Sequence, residues 1–501
     1  MQRPIKHVVI VLLGCFTLLF IQINRIQVFD SDSLEANPAN SRTIQGDFER
    51  PRGRIITRDD VVVAESVPTP EDPSTEQRVY PEGSLYAHVS GYISLNQGAD
   101  GVERTYNDAL IGQTASQELS GLTDLLSGTN PKGDVRLTLQ DGMQRTARDA
   151  LGERRGSVVA LDPVTGEIYA MWSFPSYDPN RIAVGGGLGN EAWTELVNAD
   201  GNPVRPKPYR DIYFPGSTFK VITAAAALEN GAVSITAPEF DAVDGYLPPL
   251  TERPLGNFGG STCGGNLVEV LVVSCNTAFA QVGAELLGPS VMVDTAERFG
   301  FNQAPPLDLP TPVDSRFPTD FGSQVSGPTA EIPAGVYENT PALAQSAIGQ
   351  NDVQATPLQM ALVAAAVANA GQMPVPHVML NVEDSESGDV TSSYDNETWL
   401  RAMSTETAAD LTTAMIAVAE RGTAQAAAVD GLVVGAKTGT AELGTDPPAS
   451  HAWVIAFAGR ANEPAGLAVA VLVEAQDGVS EQTGGQVAAP IARELFQEFF
   501  Q

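Results

Sequence analysis

The sequence predicts an α+β protein, with one antiparallel sheet built from both ends of a long C-terminal domain and helices on its faces. Three observations predict it. "GSVVALDPVTGEIYAMWS", from residue 156, reads as two apolar strands around the turn "DPVTG". "GLVVGAKTGTAEL", "HAWVIAFAG" and "LAVAVLVEA" read as three strands in succession near the C-terminus. The interval between is rich in helices and loops. Strands at both ends with helices between give a single sheet packed on its faces.

Taken in order, the elements begin with "MQRPIKHVVIVLLGCFTLLFIQINRIQ". Arg3 and Lys6 precede an apolar run from Val8 to about Ile26, close to the ~20 residues a spanning helix needs. Positive charge before the run predicts a cytoplasmic N-terminus with the bulk of the chain outside. No small-x-small cleavage site follows the run, which favours an uncleaved single-pass anchor over residues 1–29. Residues 30–150 read as a small β-rich module. "ERPRGRIITRDDVVVAES" suggests a hairpin, "SVPTPEDPSTEQ" a loop, "GDVRLTL" a strand and "QDGMQRTARDALGERR" a helix. Isolated acids here, such as Glu103, read as structural.

Residues 151–501 form the third region. After the first hairpin comes "FPGSTFKVITAAAALENG", a loop running into an apolar helix. A Pro-rich stretch, 304–341, is too long for a simple connection and reads as either disordered or lining a site. "TPLQMALVAAAVANAG" predicts a helix ending at Gly371, and "EDSESGDVTSSYDNE" a solvated loop. The three late strands and the helix "VAAPIARELFQEFF" close the chain.

A formal net charge of −32 over 501 residues argues against nucleic acid, which needs a basic surface. Cys15 lies in the apolar run. Cys263 and Cys275 fall in the exported part, where a disulfide persists. Twelve residues apart, they suit a bridge or two buried thiols equally.

The chemistry starts from a scarcity of Lys. Lys6, Lys132, Lys207, Lys220 and Lys437 are the lysines among 29 cationic residues; the rest are Arg. Lys can lose its proton when buried, whereas Arg effectively cannot. Ser217, behind Pro215 and Gly216, stands at a predicted helix start where free N–H groups favour a developing anion. Lys220 lies on the same helical face. A Ser hydroxyl needs a base to become a nucleophile, and a desolvated Lys near another cation can be one. One S-x-x-K is weak evidence by itself, since any capped helix with a surface Lys supplies it. "VVSCNTAF" adds Ser274 and Asn276, a hydroxyl and an amide that also suit a polar helix cap. "GAKTGTAEL" adds Lys437, Thr438, Gly439 and Thr440 in a predicted strand, where Gly permits close approach of a ligand and the cation and hydroxyls suit a carboxylate.

S-x-x-K, S-x-N and K-T-G in this order resemble the penicillin-recognising serine enzymes, a pattern of known meaning. "SAIGQNDVQATPLQMA", "RPRGRI" and "GVERTYNDALIG" extend the resemblance over nearly the whole chain to the class B penicillin-binding proteins, actinobacterial type in particular. The resemblance implies a serine β-lactamase-like transpeptidase fold with an all-helical part, on a pedestal domain. It implies a peptidoglycan D,D-transpeptidase that crosslinks stem peptides in growth or division and is acylated by β-lactams. Ser217 is then the nucleophile and Lys220 its base. Ser274 relays a proton with Lys437 tuning it, and Asn276 holds the acyl amide and Lys220. Thr438 and Thr440 bind the terminal carboxylate, beside Gly439. The backbone N–H groups of Ser217 and Thr440 hold the oxyanion. No metal or cofactor is implied. The expected partners are a polytopic membrane glycosyltransferase and division or elongation proteins. A D,D-carboxypeptidase, a β-lactamase-like hydrolase and a non-catalytic β-lactam sensor are the other readings. His451 reads as structural or cleft-lining.

Overall fold

The computed structural model describes residues 2–28, 52–69, 76–114, 132–184, 186–446, 448–476, 478–479 and 482–501. Helix α1 (Gln2–Val28) covers the expected anchor. Among the described residues no helix is long and apolar enough to cross a membrane. Within α1 the described side chains are His7 and residues 12–25, a run shorter than the ~20 residues a crossing needs. The structure therefore does not show the anchor.

Strands β1 (Ile55–Ile56) and β2 (Val62–Pro68) make the expected antiparallel hairpin. β3 (Glu76–Val79) pairs with β2, so both ends of the expected loop "SVPTPEDPSTEQ" are strand. Its residues 70–75 lie outside the described residues. β4 (Gly133–Leu137) runs parallel to β1. α2 (Asp141–Leu151) follows, its buried face formed by Met143, Ala147, Ala150 and Leu151 at helical spacing.

β5 (Gly156–Leu161) and β6 (Ile168–Phe174) form the second expected hairpin. The Ser217 segment then runs through a 3₁₀ turn, Gly216–Phe219, into α3 (Lys220–Glu229). α4 (Leu267–Val272) and α5 (Asn276–Gln281) flank the Ser274 turn. The Pro-rich stretch is ordered, and its Asp308 is half-buried. Asp308 accepts from Tyr106 Oη (2.6 Å) and from the backbone of Val378 (2.8 Å) and Met379 (2.9 Å), tying the stretch to the N-terminal module. α6 (Pro357–Ala368) is capped by Thr356, whose side chain accepts from the Gln359 amide; it stops three residues short of Gly371.

β7 (Met379–Asp384) and β8 (Val390–Ser393) correct the expected solvated loop: they are a hairpin, with Val382 opposite Ser392. The polar composition of this segment hid it. β7 also pairs with β4, and the open backbone edge of β4 decides its conformation. The six-stranded sheet has the order β8-β7-β4-β1-β2-β3, so the N-terminal module borrows a hairpin from far down the chain.

α7 (Thr405–Arg421) leads to β9 (Leu432–Glu442), β10 (Ser450–Arg460) and β11 (Leu467–Val473), and α8 (Ala489–Phe499) closes the chain. The main sheet is antiparallel with the order β9-β10-β11-β5-β6, joined from both chain ends as expected. Every residue of β5 and β11 is buried, so both faces are covered. α6 packs on β5, β10 and β11, while α2 and α8 pack on each other and on the sheet. α3, α4 and α7 form the helical part beside the free edge of β9.

Glu103 is structural, as its isolation suggests. It is fully buried between Arg78 (2.6 Å) and Arg52 (3.0 Å) and accepts from Tyr80 Oη at 3.2 Å. Burial pushes its carboxyl up, but the two guanidinium groups outweigh that and hold it below the usual range. Glu103→Gln leaves two buried cations without a counter-charge, an expected loss of about 3–5 kcal/mol. Thermal unfolding measures it; a transition unmoved by the substitution refutes the account.

Candidate active site

The site forms where the Ser217 turn, the Ser274 turn and edge strand β9 meet. Gly439 makes the meeting possible: a Cβ there would lie 2.7 Å from the Pro215 carbonyl oxygen. Gly216, at φ +52°, turns the chain where any side chain would press on the Thr440 carbonyl. Trp453, opposite Gly439 on β10, donates from Nε1 to the Phe214 carbonyl (3.0 Å) and fastens the turn to the sheet.

Ser217 is half-buried and opens into a cleft of about 850 Å³ that Ser274, Asn276, Thr438 and Thr440 also line. Its hydroxyl makes no hydrogen bond among the described residues. Lys220, one turn on, is fully buried. Its amine donates to the Ser274 carbonyl (2.7 Å) and to Asn276 Oδ1 (2.6 Å), with Ser274 Oγ farther away at 3.3 Å. Ser274 Oγ instead accepts from Lys437 Nζ at 2.8 Å, and Lys437 also donates to the Thr438 carbonyl at 2.8 Å. Ser274 holds a left-handed backbone, φ +60°, which is uncommon for a residue with a side chain and aims both its oxygens at the two amines.

The electrostatics favour neutral amines. Burial, then the neighbouring Lys437, pushes the Lys220 amine well below its usual value. Burial pushes Lys437 down to about 7. A neutral amine has two N–H bonds and one lone pair. Lys220 has two short acceptors for the two N–H bonds, so its lone pair is left to take a proton.

The sequence motifs therefore converge. Ser217, Lys220, Ser274, Asn276, Lys437, Thr438, Gly439 and Thr440 all lie at this one junction. Helical geometry begins with the 3₁₀ turn at Gly216, so Ser217 does sit at the start of the helical segment.

A family model for the penicillin-binding protein transpeptidase domain matches residues 156–497. This chain belongs to the penicillin-binding transpeptidases. A model for the penicillin-binding protein A dimerisation domain matches residues 52–135. The peptidoglycan D,D-transpeptidase PbpA of Mycolicibacterium smegmatis is 38% identical over 98% of this chain and 98% of its own length. That of Mycobacterium tuberculosis is 35% identical over 100% and 99%. The ceftriaxone acyl-enzyme of penicillin-binding protein A from M. tuberculosis superposes with a TM-score of 0.78 at 33% identity, covering 91% of this chain and 100% of that one.

Several features of this transpeptidase site had no motif to announce them. Thr423, after α7, shares a 2.6 Å hydrogen bond between hydroxyls with Thr438 and lines the cleft. Asn257 accepts from the Thr277 amide (3.0 Å) and donates to the carbonyls of Val243 and Ser261, holding the start of α5 to the cleft lip. Asn276 Nδ2 donates to the Gly256 carbonyl at 3.1 Å, which leaves its oxygen facing Lys220. Cys263 and Cys275 form a disulfide, which settles the open alternative and ties the middle of S-x-N to the same lip. His451 is structural: its Nδ1 accepts from the Ala475 amide at 3.0 Å, edge-on to Tyr213.

Proposed function

We propose that this chain is a peptidoglycan D,D-transpeptidase working through an acyl-enzyme on Ser217. The observation that carries the reading is the buried Lys220 amine, with both N–H bonds engaged and its proton affinity depressed, one turn from an unbonded Ser217 hydroxyl. The D,D-transpeptidase relatives and the acyl-enzyme structures of a 33% identical neighbour support it.

Ser217 attacks the carbonyl of the penultimate D-Ala of a stem peptide, and Lys220 takes its proton. The backbone N–H groups of Ser217 and Thr440 receive the oxyanion, at the start of the helical segment and on the edge strand. Ser274 passes a proton to the departing D-Ala amine, and Lys437, bonded to Ser274 Oγ, sets the acidity of that relay. Thr438 and Thr440 hold the terminal carboxylate, and Asn276 holds the acyl amide. An amine from a second stem peptide then takes the acyl group and leaves Ser217 free. A β-lactam acylates Ser217 in place of the peptide.

The full chain with a D-Ala-D-Ala pentapeptide and an acceptor amine tests the reading. The expected result is release of D-Ala with formation of the amide-linked product, and slow loss of penicilloyl label from Ser217. Hydrolysis without transfer indicates a carboxypeptidase, and rapid turnover of penicillin a β-lactamase; either overturns the transpeptidase reading. The pH dependence is a second check. Because the folded site holds both lysines below their usual 10.5, acylation should rise with pH on a limb well below that value, as amine protons leave the coupled pair. A limb centred near 10 in stopped-flow acylation rules out a neutral-amine base.

The chain is proposed to sit in the cell membrane through α1, with the catalytic part outside. Support comes from the exposed Leu12, Phe16, Leu19, Phe20 and Ile23 on α1, and from Arg3 and Lys6 before them. Release into the soluble fraction without detergent refutes it. The anchor and N-terminal module are proposed to contact a polytopic membrane glycosyltransferase, testable by co-purification.

A further inference from the structure

The cleft carries a charge that the catalytic scheme does not use. Thr438, Thr440 and Glu442 alternate along β9, so their side chains share one face, and all three line the cleft. Glu442 is exposed, and among the described residues its carboxylate has no hydrogen-bond or ion-pair partner. It is the acid among the described lining residues. The only cation among them is Arg253, itself without an ion pair, because Lys220 and Lys437 are buried below the surface.

The position of Glu442 along the strand gives this charge a meaning, provided the proposed function holds. With the terminal carboxylate at Thr438 and the scissile carbonyl at the Thr440 N–H, the donor peptide runs along β9 toward Glu442. Two strand residues span about 7 Å. A donor in extended form advances about 3.3–3.6 Å per residue. The residue immediately before the D-Ala pair therefore lies about one donor residue beyond Thr440, between Thr440 and Glu442, and a side chain of lysine length reaches the Glu442 carboxylate from there. An unpaired carboxylate there repels an acidic side chain at that donor position and attracts a basic one.

We propose that Glu442 is a specificity-determining residue that reads a cationic amine on the side chain of the donor residue immediately preceding the D-Ala-D-Ala terminus. It takes no part in breaking or forming the acyl bond. It raises the occupancy of the cleft by donors whose side-chain amine is still free, and disfavours donors whose amine has been consumed in a crosslink or acylated.

Two peptides and three forms of the full chain test this. The peptides are Nα-acetyl-L-Lys-D-Ala-D-Ala and the same peptide with its side-chain amine also acetylated; the readout is D-Ala release at several substrate concentrations. The wild type should favour the free-amine peptide by about tenfold in kcat/KM, the size of a charge-assisted contact at a partly wet site, expressed in KM with kcat little different. In Glu442→Gln the ratio should fall to about one, Glu442→Asp should restore part of it, and added salt should weaken it. Equal use of both peptides by the wild type overturns the inference. So does a Glu442→Gln enzyme that loses both activities alike, since that marks a structural role. If the wild type releases D-Ala from neither peptide and takes no penicilloyl label, the transpeptidase reading itself fails, which is distinct from equal use of both.

Discussion

Ser217→Ala is expected to abolish labelling by a fluorescent penicillin while leaving the unfolding transition where it was. The two halves of this expectation rest on the same geometry. The Ser217 hydroxyl makes no hydrogen bond among the described residues and opens into the cleft, so its removal breaks no native contact and should change stability by no more than ~0.5 kcal/mol. The hydroxyl is nevertheless the atom that the site is arranged around. A buried amine whose proton affinity is lowered stands one turn away, and Thr438 and Thr440 of β9 line the same cleft. Removing a catalytic Ser in a serine protease of unrelated fold costs about 10⁶-fold. A loss of that size leaves no detectable label on the time scale of an acylation assay. Mass spectrometry of the wild-type adduct should place the label on the peptide that contains Ser217. Labelling that persists in Ser217→Ala, or an adduct on Ser274, would sink the assignment of the nucleophile.

Much of this site was legible because its parts are local signals. Pro215 and Gly216 announce a break before a helix, the apolar run after Lys220 announces a helix that buries its own start, and alternation places Thr438 and Thr440 together on a strand. The spacing of Ser274 and Asn276 around a residue that points elsewhere is equally local. The contacts that complete the site are not local. Thr423 meets Thr438 only because α7 ends beside β9, and Asn257 meets Thr277 only because the lip folds back over α5. No residue type at those positions distinguishes a partner from an ordinary loop polar group. The Cys263–Cys275 bridge stayed open for the same reason, since a separation of twelve residues says nothing about distance in space. The fold failed to show itself where pairing overrode composition. β8 is exposed at every residue and polar at most of them, and it is a strand because β7 offers it a backbone edge.

Lys220→Arg is the sharper test of mechanism, because it keeps hydrogen-bond donors at that position and removes the lone pair. Lys220 has no exposed surface and two short acceptors, Asn276 Oδ1 and the Ser274 carbonyl. An Arg in that place could satisfy both acceptors, so a site that needed only a cation or only a donor would tolerate it in part. A site that needs a lone pair would not, since guanidinium stays protonated throughout the working pH range. Acylation by penicillin is expected to fall by about 10²–10⁴-fold, the usual contribution of a positioned base. The loss should not be recovered by raising the pH, whereas the wild-type rate climbs as its amines deprotonate. The larger, always-charged group is also buried next to Lys437, so thermal unfolding must be followed in parallel; a folded variant with a flat, low pH profile is the expected result. Acylation within a few-fold of wild type would mean that Lys220 serves the site as a structural donor to Asn276 and Ser274, and that the proton of Ser217 leaves by another route.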